Sequence, residues 1–424
     1  MKCRNCKKKI FTTIVSLGSQ PLSGLFYKKK KRNLQKYDLN LVKCTFCNLV
    51  QLDKSINPKK MFGSGYGYKS SASKLMVNHL KEKKLFLNKN FLKKIELNIL
   101  DIGSNDGTFL NLFEKKNFLL GVDPSLKKFK SFYKKEIHKI NDFFSKSKVD
   151  NFLKKRNKRN LKFDLITSFA MFYDIENPNY FCNEINSLLD DNGIWVLELS
   201  YLPLMLKNLT YDQICHEHIT YYNLTVFNSI AEKNNFKIIN VRSNEINGGS
   251  IEIICAKKES NLKIKTSAIK KYLKDEKKIK NLAYKNFKKR IEKTKNNIIN
   301  FFDENKYDQI VGYGASTKGN IILNQTKISS SKLKFICDGS SFKHGMYTPG
   351  TNIKIISKER MRILKPKYLF ILIWSFRNEI IKQEINFLKQ GGKLVFPLPK
   401  FHIIDKKNYK STVKKNFKSL SFKY

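Results

Sequence analysis

Between Leu97 and Lys257, short apolar runs alternate with longer amphipathic stretches. LNILDI reads as a buried strand, GSNDG as a glycine-rich turn, and TFLNLFEKKN as the helix that follows. FLLGVDPS is a second strand ending at Asp123, and FDLITSFAMFYDI supplies another. NPNYFCNEINSLLDDNG is a helix closed by Gly193, GIWVLELSY a strand, and TVFNSIAEKNN a further helix. FKIINVRSNEINGGSIEIICAKK gives two strands around a turn at Asn247–Gly249. Strands alternating with helices imply an α/β fold with a parallel sheet, and the closing hairpin adds an antiparallel edge.

The same alternation restarts at DQIVGYGASTKGNIILNQ and continues through KLKFICDGSSFKHGMYTPG to KLVFPLP. A lysine-laden, helix-prone stretch separates the two units. Ahead of them stand a cysteine-bearing N-terminus, the segment FGSGYGYKSSAS at 62–73, and a Lys-rich helical stretch ending near residue 95. The expected division is a small N-terminal domain (1–60), a connector and helix (61–95), an α/β domain (96–258), a helical linker (259–305) and a Rossmann-like α/β domain (306–424). At 424 residues the chain can afford several cores. No apolar run long enough to cross a membrane is present. The N-terminus lacks a signal peptide's apolar core and cleavage site, so the cytoplasm is the expected compartment.

Charge changes this picture less than its size suggests. Lys and Arg number 83 against 35 Asp and Glu, a formal net charge of +48, which invites a nucleic-acid surface. The excess is nearly all lysine, scattered over solvated faces, with few arginines for bidentate contacts, as a coding bias would leave it. No stable nucleic-acid partner is expected, although anionic small molecules are still attracted. Cysteine is more informative. Cys3 and Cys6, then Cys44 and Cys47, form two C-x-x-C pairs, which in a cytosolic chain read as metal ligands rather than disulfides. Four thiolates with no histidine nearby make a closed, structural zinc site.

The turn DIGSNDG places Gly103 and Gly107 behind Asp101, with Asn105 where a dinucleotide fold has its second glycine. Asp123 ends the next strand, where a carboxylate accepts ribose hydroxyls. These five residues are the candidate cofactor contacts. NAD and S-adenosylmethionine both use such a turn, and the closing hairpin favours the methyltransferase version. Farther on, CHEHITYYN (215–223) holds two of the chain's six histidines around a glutamate. A metal site would need a third ligand and lacks H-E-x-x-H spacing. A satisfied core cluster and acid–base chemistry are the other readings. On an extended segment His216 and His218 share one face, with Glu217 on the other or bracing an imidazole if the segment turns.

The two knuckles, YGYKSSAS, LDIGSNDGTFL, MFYDIENPNYF, ELSYLPLMLKN, DQICHEHITYYN, INGGSIEI, GYGASTKGN and PGTNI, in this order over nearly the whole chain, resemble the sugar C-methyltransferases that act on nucleotide-linked 4-keto-deoxysugars. The resemblance implies a class I methyltransferase Rossmann-like core flanked by a small N-terminal zinc-binding domain and a C-terminal Rossmann-like α/β domain. S-adenosylmethionine and a structural Zn2+ are the implied cofactors. The implied reaction methylates the carbon alpha to the ketone (C3) through an enolate, which requires a base, an oxyanion donor and exclusion of water. The histidine motif of such enzymes lies over the methyl donor, so His218 is the expected base and His216 or Glu217 its orienting partner. Some relatives carry tyrosine where this chain has Cys215, so oxyanion stabilisation is expected from Tyr66, Tyr68, Tyr221 or Tyr222. Expected acceptor contacts are Tyr66, Tyr68, Ser70, Ser71, Asn247 and Gly248. From the C-terminal unit, Lys318 would meet a phosphate and Asp338 a ribose hydroxyl, with Lys343 beside them; a packing-only role for that unit competes. A zinc-ribbon RNA or tRNA methyltransferase and a nucleotide-sugar-binding relative without chemistry are the alternative functions. A monomer is expected.

Overall fold

The computed structural model, described for residues 1–62, 67–414 and 417–423, gathers the apolar runs into three sheets. β1 (Phe11–Pro21), β2 (Lys36–Cys44) and β3 (Val50–Leu52) form an antiparallel N-terminal sheet. β4 (Asn98–Ile102), β5 (Phe118–Val122), β6 (His138–Ile140), β7 (Phe163–Phe169) and β8 (Leu189–Ser200) are parallel. The chain then leaves this sheet. β9 (Thr220–Tyr221) joins the N-terminal one, pairing Tyr221 with Val50 and Thr220 with Gln51. β10 (Phe236–Asn244) and β11 (Ser250–Lys257) return as a hairpin whose second strand runs antiparallel to β8. The order β10-β11-β8-β7-β4-β5-β6 is the class I methyltransferase sheet. β4, β5 and β7 are buried along almost their whole length, as strands covered on both faces must be.

The C-terminal sheet holds β12 (Ile310–Tyr313), β13 (Phe335–Cys337), β14 (Lys354–Ile356), β15 (Tyr368–Ile371), β16 (Lys393–Phe396) and β17 (His402–Ile404). Its order is β14-β13-β12-β15-β16-β17, parallel except for β17. The long helix Asn281–Glu304 buries Phe287, Ile291, Ile298 and Phe302 on one stripe. It belongs to a continuous apolar core that takes in Ile14 and Leu41 of the N-terminal sheet, Tyr211 and Ile219 around the histidine motif, and the C-terminal sheet. The stretch expected to be a linker is therefore a packing element.

Two local expectations fail. The stretch after the glycine turn forms only a 3-10 turn, Leu110–Leu112. The helix that starts at the Asn177 cap and Pro178 ends at Leu188, and Gly193 lies inside β8. A Cβ on Gly193 would come 2.7 Å from the Phe163 carbonyl oxygen, so this glycine permits a close strand approach and stops no helix. Among the described residues no helix is long and apolar enough to cross a membrane.

Candidate active site and zinc centre

A cavity of about 410 Å³ opens where β4, β5, β7 and β8 present their carboxyl ends. Gly103, at φ +76°, turns the chain there, and its N–H donates to the Val122 carbonyl at 2.9 Å. The Asn105 N–H donates to Asp123 Oδ2 at 2.9 Å, and the Ser125 N–H to Oδ1 at 2.7 Å. The connector is tied to this turn. Asn105 Nδ2 donates to the Tyr68 carbonyl at 3.2 Å, while the Ser70 N–H donates to Asn105 Oδ1 at 3.0 Å. Asp101 accepts the Thr167 hydroxyl at 2.6 Å, and burial, with Asp123 nearby, pushes its carboxyl up to about 7.

Asp101, Gly103, Asn105, Asp123, Tyr68 and Ser70 all line the cavity. Gly107 and Ser71 do not. A Cβ on Gly107 would strike the Tyr133 ring at 2.6 Å, so this glycine serves packing, and Ser71 caps Asp106 through its N–H at 3.0 Å. Tyr66 lies outside the described residues.

Electrostatics identify what the cavity suits. In a chain of net charge +48, its walls carry Asp101, Asp123, Asp174, Glu176, Glu198 and Glu217, with no lysine or arginine among the described lining residues. The sulfonium and ammonium groups of S-adenosylmethionine match that field, Asp123 stands where ribose hydroxyls are read, and Phe143, Phe144 and Phe169 offer apolar surface.

The histidine motif closes one side of this cavity, but not as an extended strand. The His218 N–H donates to the Cys215 carbonyl at 3.1 Å, making residues 215–218 a turn. The two imidazoles therefore part company. His216 contacts the Tyr37 carbonyl at 3.2 Å through Nε2 and lines a separate recess with Lys36, Lys54 and Lys60. Glu217 points into the donor cavity instead of bracing a histidine. Gly24 backs it so closely that a Cβ would come 2.6 Å from Glu217 Oε1. His218 is half-buried, its ring 4.2 Å from that of Tyr173 between centroids. Burial first, then the Lys318 charge, pull its pKa down to about 3. His218 Nδ1 has no hydrogen-bond partner.

The remaining expected tyrosines sit elsewhere. Tyr222 is fully buried against Phe172 and Phe227, and the Tyr221 hydroxyl donates to the Gln213 carbonyl at 3.0 Å. Aromatic bulk at two consecutive positions was spent on core and ladder. The Cys215 thiol is buried beside Glu217 and Asp174, and burial pushes its pKa up. Asp174, unremarked in the sequence, lines the cavity just beyond β7. An acid past the fourth parallel strand's carboxyl end was the signal available.

The C-terminal half repeats the donor turn's geometry. The Gly314 N–H (φ +88°) donates to the Cys337 carbonyl at 2.8 Å, the Ala315 N–H to Asp338 Oδ2 at 2.8 Å, and the Ser340 N–H to Asp338 Oδ1 at 2.8 Å. Lys343 lies 3.5 Å from Asp338 and over the Phe26 ring. Lys318 turns away from this pair. Its ammonium donates to the Asn247 carbonyl at 3.3 Å, beneath the 215–218 turn. Asn247, itself left-handed at φ 58°, lines the donor cavity. Gly248 does not; Thr210 and Trp374 stand under 3.0 Å from where its Cβ would be, so it is a joint between the two halves.

At the N-terminus the sulfurs of Cys3, Cys6, Cys44 and Cys47 all lie within 4.8 Å of one another. Cys3 and Cys47 are 3.4 Å apart and Cys6 and Cys44 3.6 Å. Zinc–thiolate bonds of about 2.3 Å in a tetrahedron separate sulfurs by roughly 3.8 Å, so the set fits zinc. Left-handed Lys7 and Asn48 close the two knuckles. Arg4, from the first knuckle, reaches Glu176 on the cavity wall at 3.2 Å. Purified protein is expected to carry one zinc per chain. Cys44→Ser should lose it and lower the thermal midpoint, measured by atomic absorption and calorimetry; full zinc content in that variant would contradict the assignment.

Comparison with known proteins agrees with this architecture. Family models match in order: a zinc binding domain over residues 3–62, a methyltransferase domain over 75–241, and a C-methyltransferase C-terminal domain over 245–399. The C-methyltransferase NovU of Streptomyces niveus is 27% identical over 412 residues, covering 95% of this chain and 96% of its own. The PH0226 protein from Pyrococcus horikoshii OT3 aligns at 16% identity and a TM-score of 0.35, over 45% of this chain and 94% of its own. The SAM-bound magnesium protoporphyrin IX methyltransferase of Synechocystis PCC 6803 aligns at 12% and 0.31, over 43% and 81%. With these three domains in series and a donor cavity at the end of the central sheet, the chain is an S-adenosylmethionine-dependent methyltransferase with the domain order of a C-methyltransferase.

Proposed function

We propose that the chain methylates the carbon alpha to the ketone, C3, of a nucleotide-linked 4-keto-deoxysugar through an enolate, with His218 as the base. The acceptor class comes from the family resemblance of the sequence. One observation carries its placement: the 215–218 turn presents Glu217 to the donor cavity and His218 toward Lys318 of the C-terminal half. An acceptor spanning the two halves would bring its sugar to that turn.

Bound S-adenosylmethionine supplies an electrophilic methyl; the rest is done by the chain. The depressed pKa of His218 keeps its imidazole neutral, and the unpartnered Nδ1 offers a lone pair for the α-proton. A diphosphate beside Lys318 offsets the charge that depresses the imidazole, so acceptor binding raises the base's strength. Tyr173 holds the ring through a tilted aromatic contact, and Tyr68 lines the cavity. Asp338, held like Asp123, is poised for the acceptor's ribose, with Lys343 for its phosphate. The test is incubation with S-adenosylmethionine and a panel of dTDP- and GDP-linked 4-keto sugars. A product heavier by one methylene and α-proton exchange in deuterated water are expected; neither event with any panel member overturns the acceptor class.

A further inference from the structure

The departure at Cys215 leaves the enolate oxygen without an obvious donor, and among the described lining residues Tyr68 is the one tyrosine. The cavity holds an unused pair instead. Asp174 and Glu217 both line it, and Asp174 Oδ1 and Glu217 Oε2 are buried without a hydrogen-bond partner. Neither carries a lysine or arginine partner among the described contacts. The titratable groups beside both are Cys215 and Tyr221, with His218 next in the chain to Glu217 and Asp101 and Glu176 on the cavity's other walls. Cys215, the Gly24 backbone and Ser23 lie within hydrogen-bonding reach of the Glu217 carboxyl and hold it partly down.

We propose that Asp174 and Glu217 share one proton, and that the neutral carboxyl this creates donates the hydrogen bond that stabilises the enolate oxygen. Two buried carboxylates that line one cavity and feel each other's charge do not both ionise readily at neutral pH. Burial first, then Glu217, pushes Asp174 well up from its ordinary value, and burial pushes Glu217 up as well. A carboxylic acid kept neutral is a known way to furnish an oxyanion donor. In the step, the α C–H bond breaks and its proton passes to His218, while the electron pair forms the C=C bond and the carbonyl oxygen takes the charge. The carboxyl proton is shared with that oxygen but not transferred. When the carbon–methyl bond forms and the sulfur–methyl bond breaks, the carbonyl returns, and the imidazolium releases its proton to solvent.

This inference rests on the acceptor class proposed above, so the experiment has an arm without acceptor. Infrared titration of the substrate-free protein should show a protonated carboxyl persisting to neutral pH. In Asp174→Asn and in Glu217→Gln the remaining carboxyl loses its like-charged neighbour, so its midpoint should move to lower pH. Asp101, itself pushed up to about 7, titrates in the same range, and Asp101→Asn should remove that component while leaving the pair's in place. A midpoint that moves in neither pair variant overturns the pairing. With a 4-keto sugar, Asp174→Asn should slow α-proton exchange about 100-fold and shift the alkaline limb of its pH profile downward. Exchange within about threefold of wild type would overturn the donor role. Should a variant fold poorly, Gly24→Ala displaces the Glu217 carboxylate while both acids remain, and should slow exchange likewise. If no sugar exchanges in wild type, the enolate role falls with the acceptor class, while the titration still decides the pairing.

Discussion

In His218→Asn, α-proton exchange and methyl transfer are expected to fall by about 10³-fold or more, with S-adenosylmethionine affinity within about twofold of wild type. The asymmetry follows from placement. His218 is absent from the cavity's lining, whereas its neighbours Glu217 and Ile219 are part of it. Asparagine fills similar space against Tyr173 and keeps a polar group beside the Gln213 backbone, so the turn survives while the proton acceptor goes. Calorimetric donor binding and deuterium exchange into the acceptor separate the two effects. Near-wild-type exchange in this variant would remove His218 from the reaction, and a collapse of donor affinity would make its role structural.

The largest effect on stability is expected at Lys83, which is 1% exposed within the helix Lys74–Asn90. Its ammonium meets Glu198 at 2.7 Å and Glu252, itself fully buried, which Arg242 also contacts. Glu198 takes His79 at 3.0 Å and Asn244 Nδ2 at 2.6 Å as well. Removing one member of such a cluster strands a buried charge, so Lys83→Met should cost about 3–5 kcal/mol in denaturant unfolding. Donor binding should weaken too, since Glu198 forms part of the cavity wall.

The same cluster sets an acid limit. Burial alone would raise Glu198, but Lys83 and His79 bring it from 4.5 to about 2. A carboxylate lowered on folding contributes stability above pH 4.5 that disappears as pH falls toward 2. Lys83→Met should flatten that acid limb; an unchanged limb would assign it to other carboxylates.

What was legible in the sequence was local. Apolar runs gave the strands of both α/β units, because a strand buried on two faces cannot disguise its composition. Cysteine spacing gave the zinc set, because each knuckle closes within a few residues. Periodicity misled at the 215–218 turn, where alternation assumes extended backbone and the chain reverses instead. Gly193 looked like a helix stop because the strand packed against it is distant in sequence. Tyr222 carried a polar tip that suggested chemistry, while its ring was needed among Phe172 and Phe227. Asp174 escaped notice because a lone acid after an apolar run has no motif around it. The sharing of one core by the N-terminal sheet and the C-terminal half is a tertiary fact with no sequence period.

β9 carries a consequence for how such a protein can change over time. Two residues beyond His218, the backbone is laddered to the strand that follows the second cysteine knuckle. The metal-bearing module thus anchors the reacting loop, and it cannot be trimmed or exchanged like an ordinary appendage. A chimera that swaps residues 1–60 for a homologue's must bring a matching partner for Thr220 and Tyr221, or the imidazole loses its footing, and must also restore the stretch Ser55–Pro58 that closes one wall of the donor cavity.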